Sequence, residues 1–271
     1  MSGAEGLWFL AGGSCYAAGA SVALHEAMGR RSLAGLLRSL LLAGAVMIAL
    51  AIAVRWQRVG HGPFLDMYEI LMSNLFSLGL IYALAHWRFP GVRAGAPLAL
   101  TVLVVLTLWA ATVPAGTAPL PPTYETPWLW AHVIAGKLFL GTALVSASLA
   151  VLGLLPRHWR ESTPTPRGAA TENRDALAWQ WLLAAFVFHS FMLLAGAVWA
   201  QDAWGRYWDW DPLETWAFAT WLLMAGALHA RAAFTLDPRV GRCLILATFV
   251  VAFLTFFGVP FVSLAPHQGA V

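Results

Sequence analysis

The residues of this chain with chemistry to offer are eight histidines and one run of tryptophans and acids, WGRYWDWDPLETW, from Trp204 to Trp216. The run sets four tryptophans, three carboxylates and Arg206 within thirteen residues. Flat aromatic surface beside charge suits a large planar, largely apolar ligand. Asp211, Pro212 and Glu214 read as N-cap, N1 and N3 of a helix, where carboxylates satisfy orphan N–H groups and face the positive helix end. That role does not exclude a ligand site. It stands Trp204, Trp208 and Trp210 on a rigid shelf at the mouth of the helix, with Gly205 permitting the turn ahead of it. Tryptophan at a membrane interface is ordinary, but seven of the fifteen tryptophans fall in 128–130 and 199–216, which is a cluster and not a belt.

The histidines supply a second half. His132 and His267 fall at the ends of separate apolar runs, on the side of the tryptophan cluster. Either alone fits a polar interface residue, whereas two neutral imidazoles facing each other across a plane meet the needs of a six-coordinate haem iron. His229 lies about fifteen residues past Glu214 and His189 is central in its run, depths at which an ionisable group is costly and lines a polar path or binds something. Two alternatives stay open: His229 points to the inner surface near Arg231, and His189 is a packed polar residue. His25, His86 and His158, beside Arg or Trp at inner helix ends, read as solvated. Arg206 and Lys137 are the cations near the cluster. Two haem propionates would draw one of them, and the planar fork of Arg206 suits a carboxylate better. Lys137 is expected to snorkel to the outer surface.

Apolar runs must position these groups. The chain is 60% hydrophobic and 11% charged, with a mean hydropathy of +0.69, against about 25% charged residues in a soluble domain. Runs long enough to cross a bilayer span 7–26, 33–55, 67–87, 95–113, 133–155, 178–200, 214–234 and 241–262. The expected fold is therefore all-α, a polytopic membrane protein of about eight transmembrane helices; the alternation of a membrane β-barrel is absent. With both termini outside, 12 of 16 basic residues lie inside, and the two sides carry +7 and −4, together the net +3. Topology thus explains the pI of about 9.2, and no nucleic-acid partner is expected. Glu5 precedes the first run where a signal peptide would be basic, so that run reads as a spanning helix. Cys15 and Cys243 form no CxxC and read as inert thiols. The polar stretch Arg157–Ala178 reads as a solvated linker. No P-loop or GxGxxG follows a strand, which argues against an ATP-driven pump. One membrane domain over 1–271 is expected, with N-terminal helices 1–113 and a ligand-handling core 114–271.

The string GAVWAQDAWGRYWDWDPLETWAF resembles the tryptophan-rich WWD signature of haem-handling proteins, and its WDWDPLETW ending resembles the CcsA (ResC) family of system II cytochrome c biogenesis. MYEILMSN at 67–74 resembles that family's YE segment, His132 falls at its first external histidine, His229 in LHAR at its membrane histidine, and FFGVP with His267 at its closing FGV and second external histidine. The resemblance implies transport of haem b across the membrane and its presentation to the CxxCH motif of an apocytochrome c, as a subunit of a cytochrome c synthase. His132 and His267 would be axial ligands at the external site, Trp204 to Glu214 its aromatic and acidic wall, and His229 a ligand within the membrane. The second membrane ligand would come from a CcsB (ResB)-like partner, since no large extramembrane domain is evident. A bacterial cytoplasmic membrane is the expected location, ahead of a thylakoid membrane. The alternatives are a haem-binding adaptor or regulatory WWD protein without synthase activity, and a transporter of another flat substrate.

Overall fold

The computed structural model describes residues 3–28, 32–155 and 170–259, with side chains from 174 onward in the last segment. His158 and His267 lie outside the described residues. Within them the chain is all-helical: α1 (Gly3–Ala27), α2 (Ala34–Val59), α3 (Met67–Arg88), α4 (Ala96–Thr112), α5 (Pro127–Leu154), α6 (Ala170–Trp204), α7 (Pro212–Ala233) and α8 (Pro238–Phe257), with short 3-10 turns at Pro90–Gly95 and Pro122–Tyr124. The expectation of an all-α polytopic membrane protein holds. Seven of these helices are long and apolar enough to cross a membrane. The other, α7, has 22 residues and carries Glu214, His229 and Arg231.

Local sequence explains the helix starts. Asp66, Thr126, Asp211 and Asp237 each cap a helix with a side-chain oxygen, and the last three are followed by Pro at the first helical position. There the missing N–H costs nothing and φ is already helical. Thr126–Pro127 moves the start of α5 to Pro127 from the expected 133, so TPWLWAH forms helical turns where a loop was expected. His132 consequently sits five residues inside α5, about 7.5 Å along its axis. At its other end α6 runs to Trp204 and stops at Gly205, whose φ of 73° only glycine adopts without strain.

α5 is the central post. It packs along α6 and against α3 and α8, and nearly every side chain from Phe139 to Ala150 is buried. Successive helices alternate in direction. The connections 60–66, 113–126 and 205–211 therefore gather at one end, the tryptophan end. The opposite end is held by Arg242 of α8, which pairs in bidentate fashion with Asp175 of α6 (3.0 and 2.6 Å) and donates to the Gly153 carbonyl of α5 (2.9 Å). His86, expected to be solvated at that end, is 1% exposed in the packed part of α3, and Arg93 of the turn at 90–95 donates to its backbone carbonyl.

A buried ion network organises the tryptophan end. Arg55 of α2 is 1% exposed and donates to Glu69 of α3 (2.7 Å), to Asp66 (2.8 Å) and to the Gly116 carbonyl (2.7 Å), with Glu5 of α1 at 3.5 Å. Arg58 also pairs with Glu5 (2.8 Å). Asp66 and Glu69 accept further bonds from the amides of Gly116, Glu69 and Leu65. Four segments are tied through one guanidinium whose planar fork can meet several acceptors at once.

Candidate functional site

A cavity of about 250 Å³ opens at the tryptophan end between α3, α5, α6, the start of α7 and the end of α8. Its walls are mainly apolar: Ile70, Leu129, Val133, Met192, Leu193, Trp199 and Phe256, with Phe64 and Tyr124 supplied by the connections. The polar groups are few: His132, Lys137, Asn74, Glu214 and Thr255, with the indole of Trp208. An apolar pocket holding a handful of convergent polar atoms is the usual form of a ligand site. Tyr124 lies outside the spanning helices. Burial raises its phenol above the ordinary value, so it stays a neutral donor.

His132 is set by its neighbour helix. Its Nδ1 lies 2.8 Å from the Met192 carbonyl of α6, and a carbonyl oxygen can only accept, so Nδ1 carries the proton and Nε2 the lone pair. A ring nitrogen held by a backbone carbonyl is the arrangement that orients imidazole as a metal ligand. Gly196 makes room for it. A Cβ there would lie 2.6 Å from His132 Nδ1 and 2.9 Å from its Cε1, inside van der Waals contact. The first residue of the GAVWAQ string thus serves the histidine, a function its position in the sequence does not announce.

The loop 205–211 roofs the cavity. Asp211 accepts from the Glu214 amide (2.8 Å), the expected cap. Glu214 reaches back to the Asp209 amide (2.7 Å), two residues farther out than a capping box would take it. Thr215 Oγ1 donates to the Trp210 carbonyl (3.1 Å). These bonds hold Trp210 at φ 58°, a left-handed conformation that is rare for a bulky residue. Asp211→Ala removes the cap and should cost about 0.5–2 kcal/mol, lowering the thermal midpoint of the solubilised protein by a few degrees. An unchanged midpoint would show that the loop is held without it.

The expected shelf divides into three positions. Trp208 lines the cavity, and its Nε1 is buried with no acceptor among the described residues. Trp204 packs on Trp199, centroids 5.0 Å apart, beside the cavity. Trp210 is 67% exposed and meets Trp208 edge-on. Arg206 is exposed and paired with Asp209 (2.6 Å), away from the lining. His229 is in the far part of α7, exposed on a stripe shared with Ala219, Leu222 and Gly226. His189 is fully buried against Phe139, with Nε2 2.9 Å from the Ala217 carbonyl and Nδ1 without a partner among the described residues. Lys137 departs from expectation. It does not snorkel; its ammonium turns into the cavity and donates to Ser73 of α3 (2.7 Å), because its five-residue offset from His132 points it at α3. Sequence reasoning also missed Asn74, Tyr124 and the Met192 carbonyl. The signal for the first was present in MSN, two polar residues inside an apolar run.

These features define a polytopic membrane protein with an imidazole-bearing cavity beneath an aromatic loop at one end of its helices. The profile of the Cytochrome C assembly protein family matches residues 64–267, which include every candidate ligand named above. The chain is 30% identical over 247 residues to the cytochrome c biogenesis protein CcsA of Guillardia theta, covering 82% of this chain and 81% of that one. It is 27% identical over 262 residues to CcsA of Synechococcus sp. (strain CC9902), covering 86% of each. To CcsA of Chlamydomonas reinhardtii it is 29% identical over 229 residues, 82% of this chain but only 65% of that one. The chain belongs to the cytochrome c assembly protein family, in its CcsA group. Among solved structures, the cytochrome c haem lyase CcmF superposes with a TM-score of 0.71 at 17% identity, over 95% of this chain and 47% of that one, a likeness of fold.

Proposed function

We propose that the chain carries haem b to the outer face of an energy-transducing membrane and presents it for covalent attachment to an apocytochrome c. The observation that carries this reading is His132: an imidazole whose proton is fixed on Nδ1 by a backbone carbonyl, inside an apolar cavity, in a family named for cytochrome c assembly. The residues present fit the group. His132 Nε2 supplies one axial ligand, Trp208 and Phe64 supply ring surface, and the orphaned Trp208 Nε1 offers a donor to a ligand acceptor. At about 250 Å³ the cavity is smaller than the ~300–1,000 Å³ that engulfs a drug-sized molecule. It would therefore hold part of the macrocycle, and His267, outside the described residues, would be the second axial ligand of this reading.

Each vinyl group of the bound haem takes one apocytochrome cysteine, sulfur to carbon and proton to carbon, giving a thioether with no atom lost. The chain's own contribution is to fix the ring, exclude water and hold two reactants in register. His229 lies too far along α7 to join this site and would serve haem within the membrane. Its exposure in this chain supports a second ligand from a CcsB (ResB)-like partner. The positive-inside distribution of arginine supports an orientation with the tryptophan end outside, and a bacterial cytoplasmic membrane is the location proposed.

The test is optical. Protein purified with its copurifying haem and reduced with dithionite should show the sharp split α/β bands of six-coordinate, bis-imidazole haem. A colourless preparation that also fails to take up added haem overturns the reading.

A further inference from the structure

The cavity holds a lysine amine with no described counter-ion. Lys137 bonds only to the neutral hydroxyl of Ser73 (2.7 Å) and forms no ion pair among the described residues. Beside it on the cavity wall, Asn74 is fully buried. Its amide donates to the Ile70 carbonyl (2.9 Å), and its Oδ1 has no donor among the described residues. An ammonium kept inside an apolar cavity is costly unless something pairs with it. The one carboxylate in the lining, Glu214, is drawn to the Asp209 amide at the roof, and Arg206 is held by Asp209 outside.

We infer that Lys137, with Ser73 and Asn74, is the carboxylate anchor of the cavity, taking a propionate of the porphyrin and so turning its acid edge inward. The inference rests on the haem reading above and deepens it. Lys137 follows His132 by five residues, about 7.5 Å of axial rise along α5, and both side chains line the same cavity, the one from the α6 side and the other from the α3 side. The ammonium has three donors and Ser73 takes one. A propionate accepts from the others, and a water bridging it to Asn74 Oδ1 satisfies the orphaned acceptor. In protoporphyrin IX the vinyl groups lie away from the propionate edge. An inward acid edge therefore leaves the vinyl side toward the mouth beneath Tyr207 and Trp208, where thiols can approach.

The experiment uses the full chain in detergent and four probes: iron protoporphyrin IX, its dimethyl ester, and the same two rings without iron. Binding is read by absorbance and tryptophan quenching. The wild-type chain should prefer each free acid to its ester by about tenfold or more, the scale of a charge-assisted hydrogen bond. Lys137→Met should abolish that preference while leaving ester binding within about twofold, and Lys137→Arg, which keeps the charge, should retain it. An acid preference that survives Lys137→Met, or is absent from the wild type, overturns the anchor. The haem reading fails separately: iron then adds no affinity and His132→Ala changes nothing, while the acid preference and its loss in Lys137→Met still stand. Failure of every ring to bind overturns both.

Discussion

Arg55→Ala should be the most damaging single substitution in the chain for stability. It leaves the fully buried Glu69 without its guanidinium, takes one partner from Asp66 while Glu5 keeps Arg58, and leaves the Gly116 carbonyl without its donor. Removing one partner of a buried ion pair costs about 3–5 kcal/mol, because the remaining charge stays desolvated. A fall on the order of 10 °C in the thermal midpoint of the solubilised protein follows from that figure. The damage should reach the cavity too. Arg55 and Asp66 fasten Gly116, and His61 Nε2 lies 3.1 Å from the Ala118 carbonyl, so the 113–126 connection that carries Tyr124 depends on the network. Arg55→Lys keeps one charge but loses the fork and should fall between wild type and Ala. Neutralising Glu69 to Gln together with Arg55→Met should recover part of the midpoint, since the buried charge left without its partner is then gone. If Arg55→Ala melts with the wild type, the network is not what holds these helices together.

The helices were legible in the sequence because bilayer length and apolar composition define them, and the α7 cap because Asp–Pro–x–Glu is a local signal. What sequence reading missed was lateral. Arg55, Glu5 and Glu69 fall within or beside the boundaries of three different apolar runs. Charges placed there must find partners, so the network was foreshadowed, but which run faces which is fixed only by packing. The start of α5 was misplaced for a smaller reason. Two tryptophans and a histidine in residues 128–132 look like an interfacial loop until Thr126–Pro127 is read as a helix start. Lys137 illustrates the general limit: a long side chain one to two turns from a membrane surface can turn out or in. The Ser73 hydroxyl and the cavity, contributed by other helices, decide which. The tryptophans were found as a cluster and not as a geometry, because Gly205, the left-handed Trp210 and the reach of Glu214 to Asp209 turn three rings in three directions.

His132→Ala and His229→Ala should fail in different ways, and the difference tests the proposed two-position handling of haem. His132 is five residues from the start of α5 and His229 is seventeen from the start of α7, and both helices start at the tryptophan end. At 1.5 Å per residue the two imidazoles differ in depth by on the order of 15–20 Å, far beyond the reach of one iron. Loss of His229 should therefore lower the amount of haem recovered with the protein and leave the spectrum of what remains six-coordinate. Loss of His132 should leave haem arriving but convert the cavity species to five-coordinate or weakly ligated iron, with cytochrome c maturation falling to background. Gly196→Ala should partly reproduce the His132 defect, since its methyl group would displace the ring from the Met192 carbonyl. The measurement is a set of reduced-minus-oxidised spectra of the three variants, purified with whatever membrane partner accompanies the wild type and scored beside the maturation of a CxxCH apocytochrome. A changed axial spectrum in His229→Ala, with only reduced occupancy in His132→Ala, would reverse the assignment and place the ligating site in α7 instead of the cavity.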